Sequence, residues 1–271
     1  MKIQQVFVSP CLRHLQSRFM ERYSIHNYND TTKPSIFFGC YSETTVNRIF
    51  YHKSLSVIVW GGSDARGLRK WAEGIQFIKK RKRMYEKLRT IKNVKHIAIS
   101  EDICEDLKKA RFNYRFVPVC PVLPNLFNPT ELGSMIYSYG YKRKPELYGR
   151  KLVEKVERKF RSVTLLCSEI GNSTELPYEK MRGVYDKCFI GLRFTKHDGL
   201  PNTVIELGLM GRKCIHNSNL PNAIRYESFK DIVGAIQSES TMIGCKNKEL
   251  AEKTYEYINI PDDWLDTRFY G

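Results

Sequence analysis

Short apolar runs alternate with segments whose apolar residues recur at three- and four-residue spacing over most of the chain. In the first half the runs at 3–8, 35–39, 55–60, 96–100 and 114–119 predict strands. Helices are predicted between them at 11–23, 43–51, 67–91 and 101–110. Pro121, Pro124 and Pro129 then punctuate a loop. The alternation resumes with strands at 134–139, 163–167, 188–193 and 214–216, separated by helices at 150–160, 178–185 and 202–210. Strand–helix alternation of this kind predicts parallel sheets covered by helices. With the proline stretch as boundary, the chain divides into two α/β halves of Rossmann-like type, 1–124 and 125–271.

Composition agrees with a globular chain. Of 271 residues, 42% are hydrophobic and 27% charged, which excludes a disordered tail. No apolar run approaches the ~20 residues of a membrane span. Residues 1–5 carry no apolar leader core, so the expected compartment is the cytosol. Eight cysteines are scattered without a CxxC or a nearby histidine pair, and several lie in apolar runs. They read as reduced, buried thiols, not as a disulfide framework or a zinc site.

Charge changes the picture more. The formal net charge is +16, and it is concentrated. Residues 66–95 hold twelve Lys/Arg against Glu73 and Glu86, a net of +10; residues 141–161 hold nine against Glu146, Glu154 and Glu157, a net of +6. The densest run is Lys79, Lys80, Arg81, Lys82 and Arg83, following apolar positions Leu68, Trp71, Ile75 and Ile78. Five consecutive basic residues go right round a helix, so the run is expected to project beyond its packed part. It reads either as a solvated helix end or as a site for a polyanion, nucleic acid or an anionic membrane surface.

Two familiar nucleotide motifs are absent. No GxGxxG follows the first strand, and no GxxxxGK[ST] occurs. The chemistry concentrates instead at 191–222. A strand ends there in Thr195, Lys196, His197, Asp198 and Gly199, and a helix begins near Pro201, a residue favoured in a first helical turn. Asn202 and Thr203 lie in that turn, where free N–H groups and the helix dipole favour an anion. Glu206 follows eight residues after Asp198. An acid, an anion-binding helix start and a second acid suit a nucleotide-sugar: phosphates on the amides, carboxylates on sugar hydroxyls.

The stretch Asp198-Gly199-Leu200-Pro201-Asn202-Thr203-Val204-Ile205-Glu206 resembles the paired-acid motif of retaining GT-B glycosyltransferases, the glycosyltransferase family 4-like group. Here Asp stands where that group usually has Glu. Residues 95–108 resemble the group's last N-domain strand and helix, and residues 262–270 its terminal helix packing back on the N-terminal domain. The resemblance implies two Rossmann-like domains facing a cleft, with a compact N-terminal acceptor domain and a C-terminal nucleotide-sugar domain. It implies that Asp198 binds the transferred sugar, Glu206 the ribose, and Asn202 and Thr203 the diphosphate, with Gly199, Leu200 and Pro201 also binding the donor. It also implies a UDP- or GDP-sugar donor, retention of configuration, no strict need for a metal, and basic side chains facing the diphosphate. Lys142, Arg143, Lys144 and Arg150 are candidates for that last role as a set, against a solvated basic turn.

Other residues are weighed singly. Arg193 ends a strand, where α/β sheets place ligands, and reads as a phosphate contact or a salt bridge. His197 reads as a group near the sugar or as a loop hydrogen bond. His216 reads as structural. Asp64, after Gly61 and Gly62, reads as a catalytic or acceptor contact together with Ser63 and Arg66, or as a helix cap. Two acceptors fit the charge: DNA carrying hydroxymethylated bases, as in some phages, and a surface or lipid-linked glycan at the inner face of a membrane. A non-catalytic polyanion-binding module is the competing class, and the intact acidic pair argues against it.

Overall fold

The computed structural model describes residues 1–75, 79–141, 145–161, 165–170 and 176–271; for 79–81, 141 and 165–170 it describes the backbone alone. Two compact units emerge. One comprises Met1–Val122, His197–Leu200 and Ile260–Gly271; the other comprises Leu123–Lys196 and Pro201–Asn259.

The first unit runs β1 (Gln5–Val8), α1 (Gln16–Tyr23), β2 (His26–Asn27), β3 (Ser35–Phe38), α2 (Glu43–Phe50), β4 (Ser56–Trp60), α3 (Ser63–Ala72), α4 (Lys79–Thr90), β5 (Val94–Ala98), α5 (Glu101–Lys109) and β6 (Arg115–Phe116). Its strands form one six-stranded sheet in the order β2-β1-β3-β4-β5-β6, every pair parallel. Ser-Ile-Phe-Phe in β3 and Ser-Val-Ile-Val-Trp in β4 are buried along their whole length, as central parallel strands covered on both faces must be. Serine caps start two of the covering helices: the Ser42 hydroxyl accepts from Thr45 N–H and that of Ser100 from Ile103 N–H.

The second unit runs β7 (Met135–Tyr141), α6 (Arg150–Lys159), β8 (Leu165–Ile170), α7 (Met181–Tyr185), β9 (Cys188–Leu192), α8 (Asn202–Leu209), β10 (Lys213–Ile215), β11 (Ala223–Ile224), α9 (Phe229–Ser240) and α10 (Lys248–Ile258). Its sheet has the order β11-β10-β9-β7-β8 and is again parallel throughout. Ile136, Phe189, Ile190, Leu192 and Ile215 from the strands pack with Val156, Ile232 and Ile236 from the helices. Gly191 in β9 lies against Leu207 of α8 so closely that a Cβ would clash. This glycine therefore sets how near the motif helix approaches its sheet.

Three expectations are corrected. The single helix expected over 67–91 is two helices. α3 starts at Ser63 and ends at Ala72, because Gly74 turns left-handed at φ +71° and Ile75 N–H returns to the Lys70 carbonyl. The basic run is consequently not the projecting tail of α3. It forms the first turn of the separate helix α4, whose Met84, Tyr85 and Leu88 are buried. The closing segment is not an α-helix but two 3-10 turns, Asp262–Leu265 and Thr267–Tyr270, broken by the extended residue Asp266. It packs within the first unit: Ile3 N–H donates to the Leu265 carbonyl at 2.7 Å, and buried Trp264 meets the Tyr23 ring edge-on at 5.1 Å.

Seven cysteines have described side chains, and all are free thiols. Burial pushes those of Cys188 and Cys214 up to about 12, so they are inert at neutral pH. Among the described residues no helix is long and apolar enough to cross a membrane.

Candidate active site

In the second unit, chemistry gathers at the carboxyl end of β9 and the start of α8. Pro201 is the N-cap of α8 and supplies no side-chain acceptor. The N–H groups of Val204 and Ile205 both turn back to the Pro201 carbonyl, at 3.0 and 3.2 Å. An anion at this end would meet the first-turn amides of Asn202 and Thr203. Thr203 is buried and Asn202 half-buried. One turn on, Glu206 is only 4% exposed, and the Tyr185 hydroxyl donates to its Oε2 at 2.7 Å. Burial, and then the Glu206 carboxylate, push the Tyr185 phenol well above its ordinary value. It stays protonated and can only be the donor. Its ring is held edge-on to Tyr137 at 5.0 Å.

Arg193 follows β9 and is 8% exposed. Its guanidinium lies over the Tyr139 ring at 4.4 Å and the Tyr148 ring at 5.6 Å, so its plane is fixed by stacking. His216 is buried, its Nδ1 3.0 Å from the Arg193 carbonyl, a structural role. Arg150 is exposed at the start of α6, and its Nε donates to Glu154 one turn on at 3.0 Å. Lys142, Arg143 and Lys144 lie outside the described residues.

In the first unit, β4 ends in Gly61 and Gly62, the latter at φ +137°. The segment 197–200 packs onto this turn. A Cβ on Gly199 would sit 2.7 Å from the Gly61 carbonyl oxygen, so only glycine passes there without moving backbone. Asp198 is half-buried and takes Gly199 N–H on Oδ1 at 3.1 Å. His197 reaches Asp106 of α5, Nε2 to Oδ2, at 2.8 Å. Asp106 is fully buried, and its other oxygen takes Arg69 Nη1 at 3.2 Å.

Asp64, expected as a catalytic or acceptor contact or as a helix cap, is occupied by backbone amides at the start of α3. It is 2% exposed, with Oδ2 accepting from Cys40 and Gly61 N–H and Oδ1 from Gly62 and Ala65 N–H. Burial pushes its carboxyl up against the pull of those four amides. Both oxygens are spent on tying two loops to the start of α3. Ser63 is exposed and hydrogen-bonded to the Tyr41 hydroxyl, while Arg66 is half-buried. On α4, Lys82 and Arg83 are exposed, and Lys82 lies 3.8 Å from Glu86. Lys79, Lys80 and Arg81 belong to the same helix, with side chains outside the described ones.

The structure thus places His197, Asp198, Gly199 and Leu200 with Ser63 in one unit, and Pro201, Asn202, Thr203, Glu206 and Arg193 in the other. Tyr185 and Asp106 were missed. Tyr185 carries no signal among sixteen tyrosines. Asp106 does carry one: Ile103, Asp106, Leu107 and Ala110 share one helix face, and an acid on an apolar face announces a buried pair. Among the described residues no group of three or more His, Cys, Asp or Glu is disposed to hold a metal.

No protein-family model and no curated protein sequence matches the chain. Solved structures do match. TarM aligns over 89% of this chain and 55% of its own length, at 13% identity and a TM-score of 0.60. A point mutant of TarM from S. aureus, crystallised with fondaparinux, alpha-GlcNAc-glycerol and UDP, aligns over 87% and 54% at 12% identity, TM-score 0.60. Sucrose-phosphate synthase from Thermosynechococcus elongatus aligns over 91% and 74% at 10% identity, TM-score 0.55. In fold the chain is similar to GT-B glycosyltransferases. It spans about half the length of the TarM structures.

Proposed function

We propose that the protein transfers a sugar from a nucleotide-sugar donor to a hydroxyl acceptor. The observation that carries this reading is Glu206: a buried carboxylate, anchored by Tyr185, one turn inside a helix whose N-terminus has no side-chain cap. In this reading the diphosphate rests on the amides of Asn202 and Thr203. Glu206 takes ribose hydroxyls, and Asp198 takes a hydroxyl of the transferred sugar. Arg193 and the basic residues 142–144 and Arg150 offset charge on the departing diphosphate. That group accepts the acceptor proton, and configuration is retained, as the family resemblance implies. A UDP-sugar is the favoured donor, supported by the structural neighbour crystallised with UDP.

A panel of UDP- and GDP-sugars, read by mass spectrometry on hydroxymethylated DNA and on surface or lipid-linked glycans, tests the reading. Mass addition to either acceptor supports it. Polyanion binding with no transfer from any donor would make the protein a binding module instead. Turnover is expected to survive chelator nearly unchanged; complete loss, restored by Mg²⁺ or Mn²⁺, would overturn the metal-free phosphate site.

The acceptor in this reading is a polyanion held by α4. Replacing all five residues 79–83 with Gln is expected to weaken acceptor binding and spare donor binding. On duplex DNA each lost phosphate contact flattens the slope of log affinity against log salt by ~0.9. On anionic liposomes each lost basic residue costs ~1 kcal/mol of binding. Wild-type behaviour in both assays would remove α4 from acceptor binding.

A further inference from the structure

The loop histidine carries more than its tie to α5. His197 has Nε2 on Asp106 Oδ2 at 2.8 Å, and Asp106 Oδ1 takes Arg69 Nη1 at 3.2 Å, with Arg69 Nε on Glu73 at 3.0 Å. A carboxylate paired with arginine only accepts hydrogen bonds, so Nε2 bears a proton; in an imidazole with one ring proton, Nδ1 keeps its lone pair. The His197 side chain keeps 15% of its surface exposed, yet Nδ1 itself is buried and has no hydrogen-bond partner among the described residues. An unsatisfied buried nitrogen is costly, and a bound hydroxyl is one group that completes it.

Resting on the glycosyltransferase reading, we infer that His197 Nδ1 is a fixed acceptor for one hydroxyl of the transferred sugar, with Asp106 setting its tautomer. In that tautomer the group that completes Nδ1 must donate a proton, as a sugar hydroxyl does. Asp198, already assigned to a sugar hydroxyl, is the next residue, and the glycine after it lies against the Gly61 backbone. In this arrangement a sugar held by Asp198 is shared with the imidazole of the preceding residue. His197 binds substrate in this arrangement, and Asp106, acting only through it, is a positioning residue.

Two variants separate the sugar contact from the tie to α5. His197→Gln keeps an N–H where Nε2 donates to Asp106 and removes the acceptor at Nδ1. His197→Asn keeps a polar atom near Nδ1 and removes the tie. Calorimetry is done with UDP, with the donor found active in the panel, and with its monodeoxy analogues. His197→Gln is expected to melt near wild type, to bind UDP unchanged and to bind the intact donor up to about tenfold more weakly. One monodeoxy donor should lose the same factor on wild type and nothing further on His197→Gln. His197→Asn should melt lower while keeping the preference for the intact donor. Wild-type donor affinity in His197→Gln would overturn the inference, as would equal loss for every monodeoxy donor on both proteins. A ¹⁵N spectrum showing the proton of His197 on Nδ1 in the free protein would overturn it independently of any donor. Failure of the wild-type protein to bind any nucleotide-sugar would instead sink the glycosyltransferase reading and the inference with it.

Discussion

Replacing Glu206 with Ala is expected to abolish binding of UDP and to lower stability at the same time. The carboxylate is 4% exposed and takes the Tyr185 hydroxyl at 2.7 Å. Removing it takes from the nucleotide its proposed ribose acceptor, and from Tyr185 the partner of a fully buried phenol. A buried hydroxyl left without a partner costs about 1–3 kcal/mol, so a lowered melting temperature accompanies the lost binding. Glu206→Gln separates the two effects. The amide oxygen still accepts from Tyr185, and the side chain keeps its volume. The charge is gone, and one end becomes a donor facing hydroxyls that the carboxylate would accept. Stability is then expected to stay within about 0.5 kcal/mol of wild type. UDP affinity should still fall at least tenfold, since hydrogen bonds to a charged group contribute about 1.5–3 kcal/mol. Calorimetric titration with UDP and GDP, beside thermal unfolding of each variant, gives both readouts. Wild-type affinity in both variants would take Glu206 out of the donor site.

Elements with strong local periodicity were legible, because buried parallel strands are short continuous apolar runs and their helices carry one apolar face. β3 and β4 lie within a residue of where their patterns put them. β11, two residues long, and helices α9 and α10 lack such strong periodicity; Phe229–Ser240 mixes apolar and polar positions under a capping box of Ser228 and Asp231. The break after α3 was written in Gly74, but the apolar spacing of Trp71, Ile75 and Ile78 runs straight across it. Of the candidate site, one local stretch, 197–206, stands out in the sequence because loop and helix start are contiguous. What completes them comes from far along the chain. Asp106 stands 91 residues from His197, and Tyr185 stands 21 from Glu206. Spacing cannot reveal such partners. The backbone ties of Asp64 are hidden for a related reason: one of its four donors, Cys40, belongs to another loop.

The largest loss of stability is expected from Arg212, in the turn between α8 and β10. It is fully buried, and its guanidinium donates to six carbonyls: Tyr185 at 3.0 Å, Cys188 at 3.2 Å, Thr130 at 3.3 Å, Glu131 at 2.7 Å, Asp186 at 3.4 Å, and Met210. These carbonyls belong to the turn between α7 and β9, to the segment entering the second unit, and to the end of α8. One planar fork of five N–H groups therefore staples three backbone segments, a task that the three point-like donors of lysine cannot perform. Arg212→Met keeps most of the buried volume and strands the carbonyls. With one charge-assisted bond contributing about 1.5–3 kcal/mol, the loss should reach at least about 3 kcal/mol. For a chain of this size that is a fall in melting temperature of about 6–12 °C. Arg212→Lys is expected to recover less than half of it. The turn that Arg212 holds begins at Tyr185, the donor to Glu206, so the variants should also bind UDP more weakly at temperatures where they remain folded. Denaturant unfolding and calorimetry on the same samples check both effects. A midpoint within about 0.5 kcal/mol of wild type would show that the carbonyls find other partners. Unchanged UDP affinity in a destabilised variant would show that Tyr185 keeps its place without the staple.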